Sequence, residues 1–192
     1  MEEKQEAFTG GFGSPQGALF RQKLALDNMR RFCERYKTTA EDLYRSYERK
    51  KREEDFVSAR NLLLRHEFYL NLQAFTQRVL ETFKILQMTE SLALFLLEVA
   101  DALKTVETET DGKALAQAKR KLEDIARTLA ELTPGGKYVR LFPKENPFVK
   151  WKRLRAEKKK TPQELLAEQE SAYQAKRQAS SEQKEFFVVK NK

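Results

Sequence analysis

The sequence predicts an all-α protein: an up-and-down helical bundle with long helices, followed by an extended basic arm and a peripheral C-terminal helix. Three observations carry that expectation. The 192 residues include only 7 Gly and 5 Pro, and neither type occurs between Ala40 and Lys104. Apolar residues recur at spacings of three and four, the period of one helix face. Sustained period-two alternation is absent, and KYVRLF at 137–142 is the only short strand candidate. The organisation that follows is a flexible leader at 1–14, a bundle at 15–133, a basic-aromatic arm at 134–160, and a C-terminal helix with an apolar tip at 161–192.

Ser14-Pro15 suits an N-cap followed by proline at the first helical position, where its missing N–H costs nothing. The helix expected from Pro15 to Lys37 carries Leu19, Leu26, Met29, Cys33 and Tyr36 on one stripe, widened by Phe20, Leu24 and Phe32. Thr38 with Glu41, and Thr39 with Asp42, have the spacing of a reciprocal cap and offer a second start. From Ala40 to Leu86 the chain is then one helix of about 70 Å, or two collinear pieces. Its first half, RSYERKKREEDF, is charged nearly all round and is expected to face solvent or a partner. Its second half carries Leu63, Phe68, Leu70, Leu72, Phe75, Val79, Phe83 and Leu86, a face suited to a core.

Thr89 or Ser91 caps a third helix, in which Leu92, Leu96, Val99, Leu103 and Val106 are spaced four and three apart. After the TETDGK turn, Leu115, Ala118, Leu122, Ile125, Leu129 and Leu132 repeat the pattern in a fourth. Two such seams joined by a short turn predict an antiparallel pair, packed at home rather than on another chain. Pro134-Gly135-Gly136 ends the bundle. Beyond the arm, Thr161-Pro162-Gln163-Glu164 is the clearest helix start in the chain, with Thr as cap, Pro first and Glu third. The helix it begins holds few apolar residues and is expected to bury little. The closing Phe186, Phe187, Val188 and Val189 form an apolar tip that reads as a partner-docking element.

Charge is concentrated in one place. Residues 1–136 hold 22 basic and 22 acidic residues, 137–160 hold 10 and 2, and 161–192 hold 5 and 5, so the whole net charge of +8 lies in KYVRLFPKENPFVKWKRLRAEKKK. Its cations Lys137, Arg140, Lys144, Lys150, Lys152, Arg153, Arg155, Lys158, Lys159 and Lys160 suit phosphates. Its rings Tyr138, Phe142, Phe148 and Trp151 suit stacking on unpaired bases. RNA is therefore the favoured partner, ahead of duplex DNA. Docking of the arm on neighbouring protein subunits comes second. A membrane surface comes last, because Phe148, Trp151 and Leu154, which share one face of a short helix in that reading, make only a small apolar face.

Catalytic signals are poor. Cys33 is the only cysteine and His66 the only histidine, which excludes a disulfide within the chain and multi-cysteine or multi-histidine metal sites. A Cys33–His66 nucleophile pair would rest on two lone residues, and His66 is expected on a helix surface. GGFGSPQG lacks both phosphate-loop orders, GxGxxG and GxxxxGK[ST]. The acids Glu53-Glu54-Asp55 and Glu107 to Asp111 read as turn and surface groups. No enzyme, cofactor, metal or small-molecule substrate is expected. A lone cysteine, no visible signal peptide and no ~20-residue apolar run suit a reducing intracellular compartment. The expected role is a non-enzymatic subunit of a larger assembly, its body binding protein and its arm binding RNA; the alternative is a scaffold or adaptor in a purely protein machine.

Overall fold

The computed structural model of the chain describes residues 15–85, 89–132, 141–142 and 146–189, with side chains except at positions 15, 16, 18, 84, 85, 90, 132 and 180–189. The described residues are all-α, as the spacings predict. They form α1 (Pro15–Arg52), α2 (Phe56–Ile85), α3 (Glu90–Thr108), α4 (Gly112–Leu132), α5 (Pro147–Glu157) and α6 (Pro162–Val189), with no strand among them. None of these helices is long and apolar enough to cross a membrane.

The start expected at Thr38 or Thr39 is not used, because α1 runs on to Arg52. Buried Met29, Cys33, Tyr36, Ala40 and Tyr47 continue one stripe straight through the two threonines. A helix whose buried face continues gains more by propagating than by stopping for a cap. Of the expected stripe Leu19 is exposed, and of the residues expected to widen it Phe20 and Leu24 are exposed while Phe32 is half-buried. The break comes instead at Glu53-Glu54-Asp55. Glu54 adopts a left-handed φ of 59°, and the Asp55 carboxylate caps α2 by accepting from the Ser58 N–H at 3.2 Å.

The chain divides into two compact units. The first comprises Met1–Glu34 and Gln73–Phe142, and the second Arg35–Leu72 and Pro143–Lys192. In the first, α3 and α4 pair through the seams read from sequence. Leu96, Val99, Leu103, Val106, Ala118, Leu122, Ile125 and Leu129 are buried, whereas Leu92 and Leu115 are half-buried. Each fully buried leucine contributes about 1.5–3 kcal/mol. Thr89 is the cap of α3, accepting from the Leu92 N–H at 3.3 Å, and Asp111 caps α4 through the N–H groups of Lys113 and Ala114. Phe83 of α2 stacks on Phe95 of α3 with centroids 6.0 Å apart. Buried Leu141 and half-buried Phe142, whose N–H donates to Glu123, lie against this unit.

The second unit is closed differently. Tyr47 of α1, Ala59 and Leu63 of α2, and Leu166 of α6 form a small buried cluster, with Tyr44, Phe56, Leu62 and Tyr173 packed around it. The charged segment RSYERKKREEDF therefore does not simply project, because its Tyr47 belongs to a core. The C-terminal helix is also more firmly seated than its composition suggested. The Glu170 carboxylate accepts from the Tyr47 hydroxyl at 2.5 Å and pairs with Lys51 at 2.7 Å. Glu67 accepts from Gln169 and Lys176, each at 2.6 Å.

Candidate nucleic-acid interface

The stretch read as an extended arm is helical over its second half. Asn146 accepts from the Phe148 N–H at 2.9 Å and is followed by Pro147, an N-cap with proline in the first turn, so α5 begins there. The helix ends in a turn at Lys158, Lys159 and Lys160, where the Lys159 and Lys160 N–H groups reach the Ala156 and Glu157 carbonyls at 3.1 Å. Thr161 then starts α6 with the predicted reciprocal cap. Its hydroxyl accepts from the Glu164 N–H at 3.3 Å, and its own N–H donates to the Glu164 carboxylate at 2.7 Å.

Positions i, i+3, i+4 and i+7 place Phe148, Trp151, Lys152 and Arg155 on one face of α5. The two rings are nearly parallel, 19° apart with centroids 6.1 Å from each other. Lys152 Nζ lies 4.6 Å from the Phe148 centroid, and the Arg155 guanidinium 5.4 Å from the Trp151 ring. No residue of α5 is buried, and Phe148 and Trp151 remain 60% and 53% exposed. Trp151 and Arg155 line two open surface hollows. One of about 640 Å³ includes Leu154, Glu157 and Lys158, and one of about 510 Å³ includes Lys152, Ala156, Lys159 and Lys160.

What anchors α5 is its one acid. Glu157 accepts from Arg60 of α2 at 2.7 Å and from Arg153, one turn earlier, at 2.6 Å. Burial works against its ionisation, but the two guanidinium groups outweigh burial and hold the carboxyl below the ordinary glutamate value. Lys160 pairs with Glu168. Among the described residues, Lys150, Lys152, Arg155, Lys158 and Lys159 have no carboxylate within ion-pair distance. By sequence count the first unit holds 15 basic and 15 acidic residues and the second 22 and 14, so the whole net charge of +8 belongs to the second.

The predicted interface residues thus separate. Phe148, Lys150, Trp151, Lys152, Arg153, Arg155, Lys158, Lys159 and Lys160 lie on α5 and the turn after it. Phe142 lies in the first unit, with Lys119 Nζ 5.6 Å from its ring centroid. Lys137, Tyr138, Arg140 and Lys144 lie outside the described residues, as does most of KYVRLF. Phe186, Phe187, Val188 and Val189 form the last turn of α6, with side chains outside the description. Sequence reasoning missed Glu157 as an anchor and Asn146 as a cap. The Asn-Pro dipeptide was an available signal for the second, whereas nothing local pointed to Arg60.

His66 is buried rather than on a surface. Its Nδ1 lies 2.7 Å from the Ala40 carbonyl oxygen, and its Nε2 lies 2.9 Å from the Tyr173 hydroxyl. With Nδ1–H donating to the carbonyl, Nε2 accepts from the phenol. The Cys33 thiol donates to the Gln77 side-chain oxygen at 3.4 Å. Both groups are thus held by partners other than each other. No cluster of three potential metal ligands occurs among the described residues. Comparison with protein families, with characterised proteins and with solved structures finds no match to this chain.

Proposed function

We propose that the protein is a non-enzymatic subunit of a larger assembly, whose helical body binds protein and whose α5 and following lysine turn contact RNA. The observation that carries this reading is the state of α5. None of its residues is buried and only Glu157 is half-buried; it presents two exposed aromatic rings with cations over them, and three lysines follow at its end. A helix that only tied parts of the fold together would turn its large rings inward, because burying each is worth several kcal/mol. Five cations without an acid partner among the described residues, in the unit that holds all the net charge, suit a polyphosphate.

Filter binding of RNA over a salt series tests the reading. If the five cations each neutralise one phosphate, log K against log[salt] has a slope of about −3 to −4 for single strands. A flat salt response sinks it, as does a native complex whose composition is unchanged by nuclease. One observation favours protein docking as the second reading: Val149 and Leu154, which a phosphate backbone does not need, are 53% and 43% exposed on the same helix. That reading predicts a complex indifferent to nuclease and lost when Val149 and Leu154 become serine.

A further inference from the structure

Resting on the RNA reading, we propose that the segment recognised is single-stranded, with an unpaired base stacking on the indole of Trp151. Phe148 and Trp151 already form a near-parallel pair, and a third planar group extends such a stack. The group now over the indole is the Arg155 guanidinium, itself planar. Stacking of a base on an aromatic ring is stronger than a cation–π contact at an exposed site. A base therefore displaces Arg155, and the freed guanidinium reaches the adjoining phosphate. The second hollow beside Trp151 has the more suitable lining, the indole with Lys152, Arg155, Lys159 and Lys160, whereas the first joins Lys158 and Arg155 to the acid Glu157.

Duplex RNA does not fit this face. Its bases are paired and stacked, and its deep, narrow major groove does not admit side chains. Against a duplex only the cations would engage, leaving both rings in water. A lipid surface fits less well again. Interfacial helices keep apolar and basic faces apart, whereas here Lys152 and Arg155 lie over the rings that would insert.

Trp151 is the only tryptophan in the chain, so its emission reports on this site alone. The full chain is titrated with a 12-nucleotide single-stranded RNA, the same sequence as single-stranded DNA, an RNA duplex of that length, and phosphatidylserine vesicles. Either single strand is expected to quench the emission and to bind about tenfold more tightly than the duplex. Trp151→Ala is expected to lose about tenfold for single strands and little for the duplex, while Trp151→Phe retains most of the affinity. Because no residue of α5 is buried, circular dichroism of both variants should match the parent. Equal binding of single strand and duplex with unchanged emission overturns the stacking proposal and leaves the RNA contact standing. Binding of neither, or a blue-shifted emission on vesicles without RNA binding, overturns both.

Discussion

The two units share α1 and α2 but are held together by different physics. In the first, α3 and α4 meet through leucine, valine, isoleucine and alanine at heptad spacing, and the unit has no net charge. In the second, seven apolar residues are buried among those described, four of them in the cluster around Leu63, and they are supplemented by Tyr47 and Lys51 on Glu170, Gln169 and Lys176 on Glu67, Tyr173 on His66, and Arg60 on Glu157. Hydrophobic closure is non-directional and indifferent to pH, while closure by charged hydrogen bonds depends on every partner keeping its protonation state. A surplus of cations is thus carried by the unit with the smaller apolar core. The division suits a packing module joined to a presenting one, since net charge has its effect on partners rather than on the fold.

The largest effect is expected in the apolar seam. Leu122 is fully buried, and Leu122→Ala should cost about 2–5 kcal/mol through lost transfer energy and the cavity left behind. Urea denaturation followed by circular dichroism measures it. A loss below about 1 kcal/mol would mean that α3 and α4 close up around the gap, and the contrast with the second unit would weaken.

Next comes the buried imidazole. His66→Leu keeps an apolar body of similar size but leaves the Tyr173 hydroxyl without its acceptor. The expected cost is about 1–3 kcal/mol for an unmatched polar group. Because Tyr173 is on α6, amide hydrogen exchange should show lost protection around Leu166–Tyr173 while α3 and α4 keep theirs. Unchanged exchange in α6 would show that Leu166 and the glutamate contacts suffice without the histidine.

How much of this was legible follows the same division. The seams of α3 and α4 could be read because each is a local repeat, and a short turn leaves the two helices little choice but to pair. The closure of the second unit could not, since its contacts join residues far apart in the chain: Arg60 to Glu157 across 97 residues, and Tyr47 to Glu170 across 123. No periodicity links a tyrosine in a charged segment to a glutamate in a thinly apolar helix. Thr38 and Thr39 misled for a related reason, as cap spacing is a local signal and the buried stripe running through it is a tertiary one. The basic arm was recognised by charge and rings, and its helical half showed only as the small face of Phe148, Trp151 and Leu154, because none of its residues is buried in a core among the described residues. The identity of the cations and rings was legible, as was the shared face of Phe148 and Trp151; that Phe142 belongs with α4 was not.

A smaller and more selective effect is expected from acid. Glu157 and Glu170 are both held below the ordinary carboxylate range: burial opposes their charge, but Arg153 and Arg60 at the first, and Lys51 and Tyr47 at the second, outweigh it. A carboxyl whose pKa is lowered on folding stabilises the fold above its unfolded value of about 4.3 and loses that contribution as pH falls through the lower folded value. Hydrogen exchange through that window should therefore show α5 and α6 opening before α3 and α4. Simultaneous opening of all four helices would show that the units behave as one cooperative body.

The smallest effect tests the premise on which the interface rests. Phe148→Ala removes a large ring, which in a core would cost about 3–5 kcal/mol. On α5 the ring is 60% exposed and its contacts are to Trp151 and Lys152 of the same helix, so the expected change in stability is within about 0.5 kcal/mol. The stacked pair is worth little to the fold because both rings stay wet and the helix is anchored through Glu157 on its other side. A loss of 2 kcal/mol or more in urea denaturation would place Phe148 in a packed site. The rings would then serve the fold, and α5 would have to be read as a strap rather than a presenting surface.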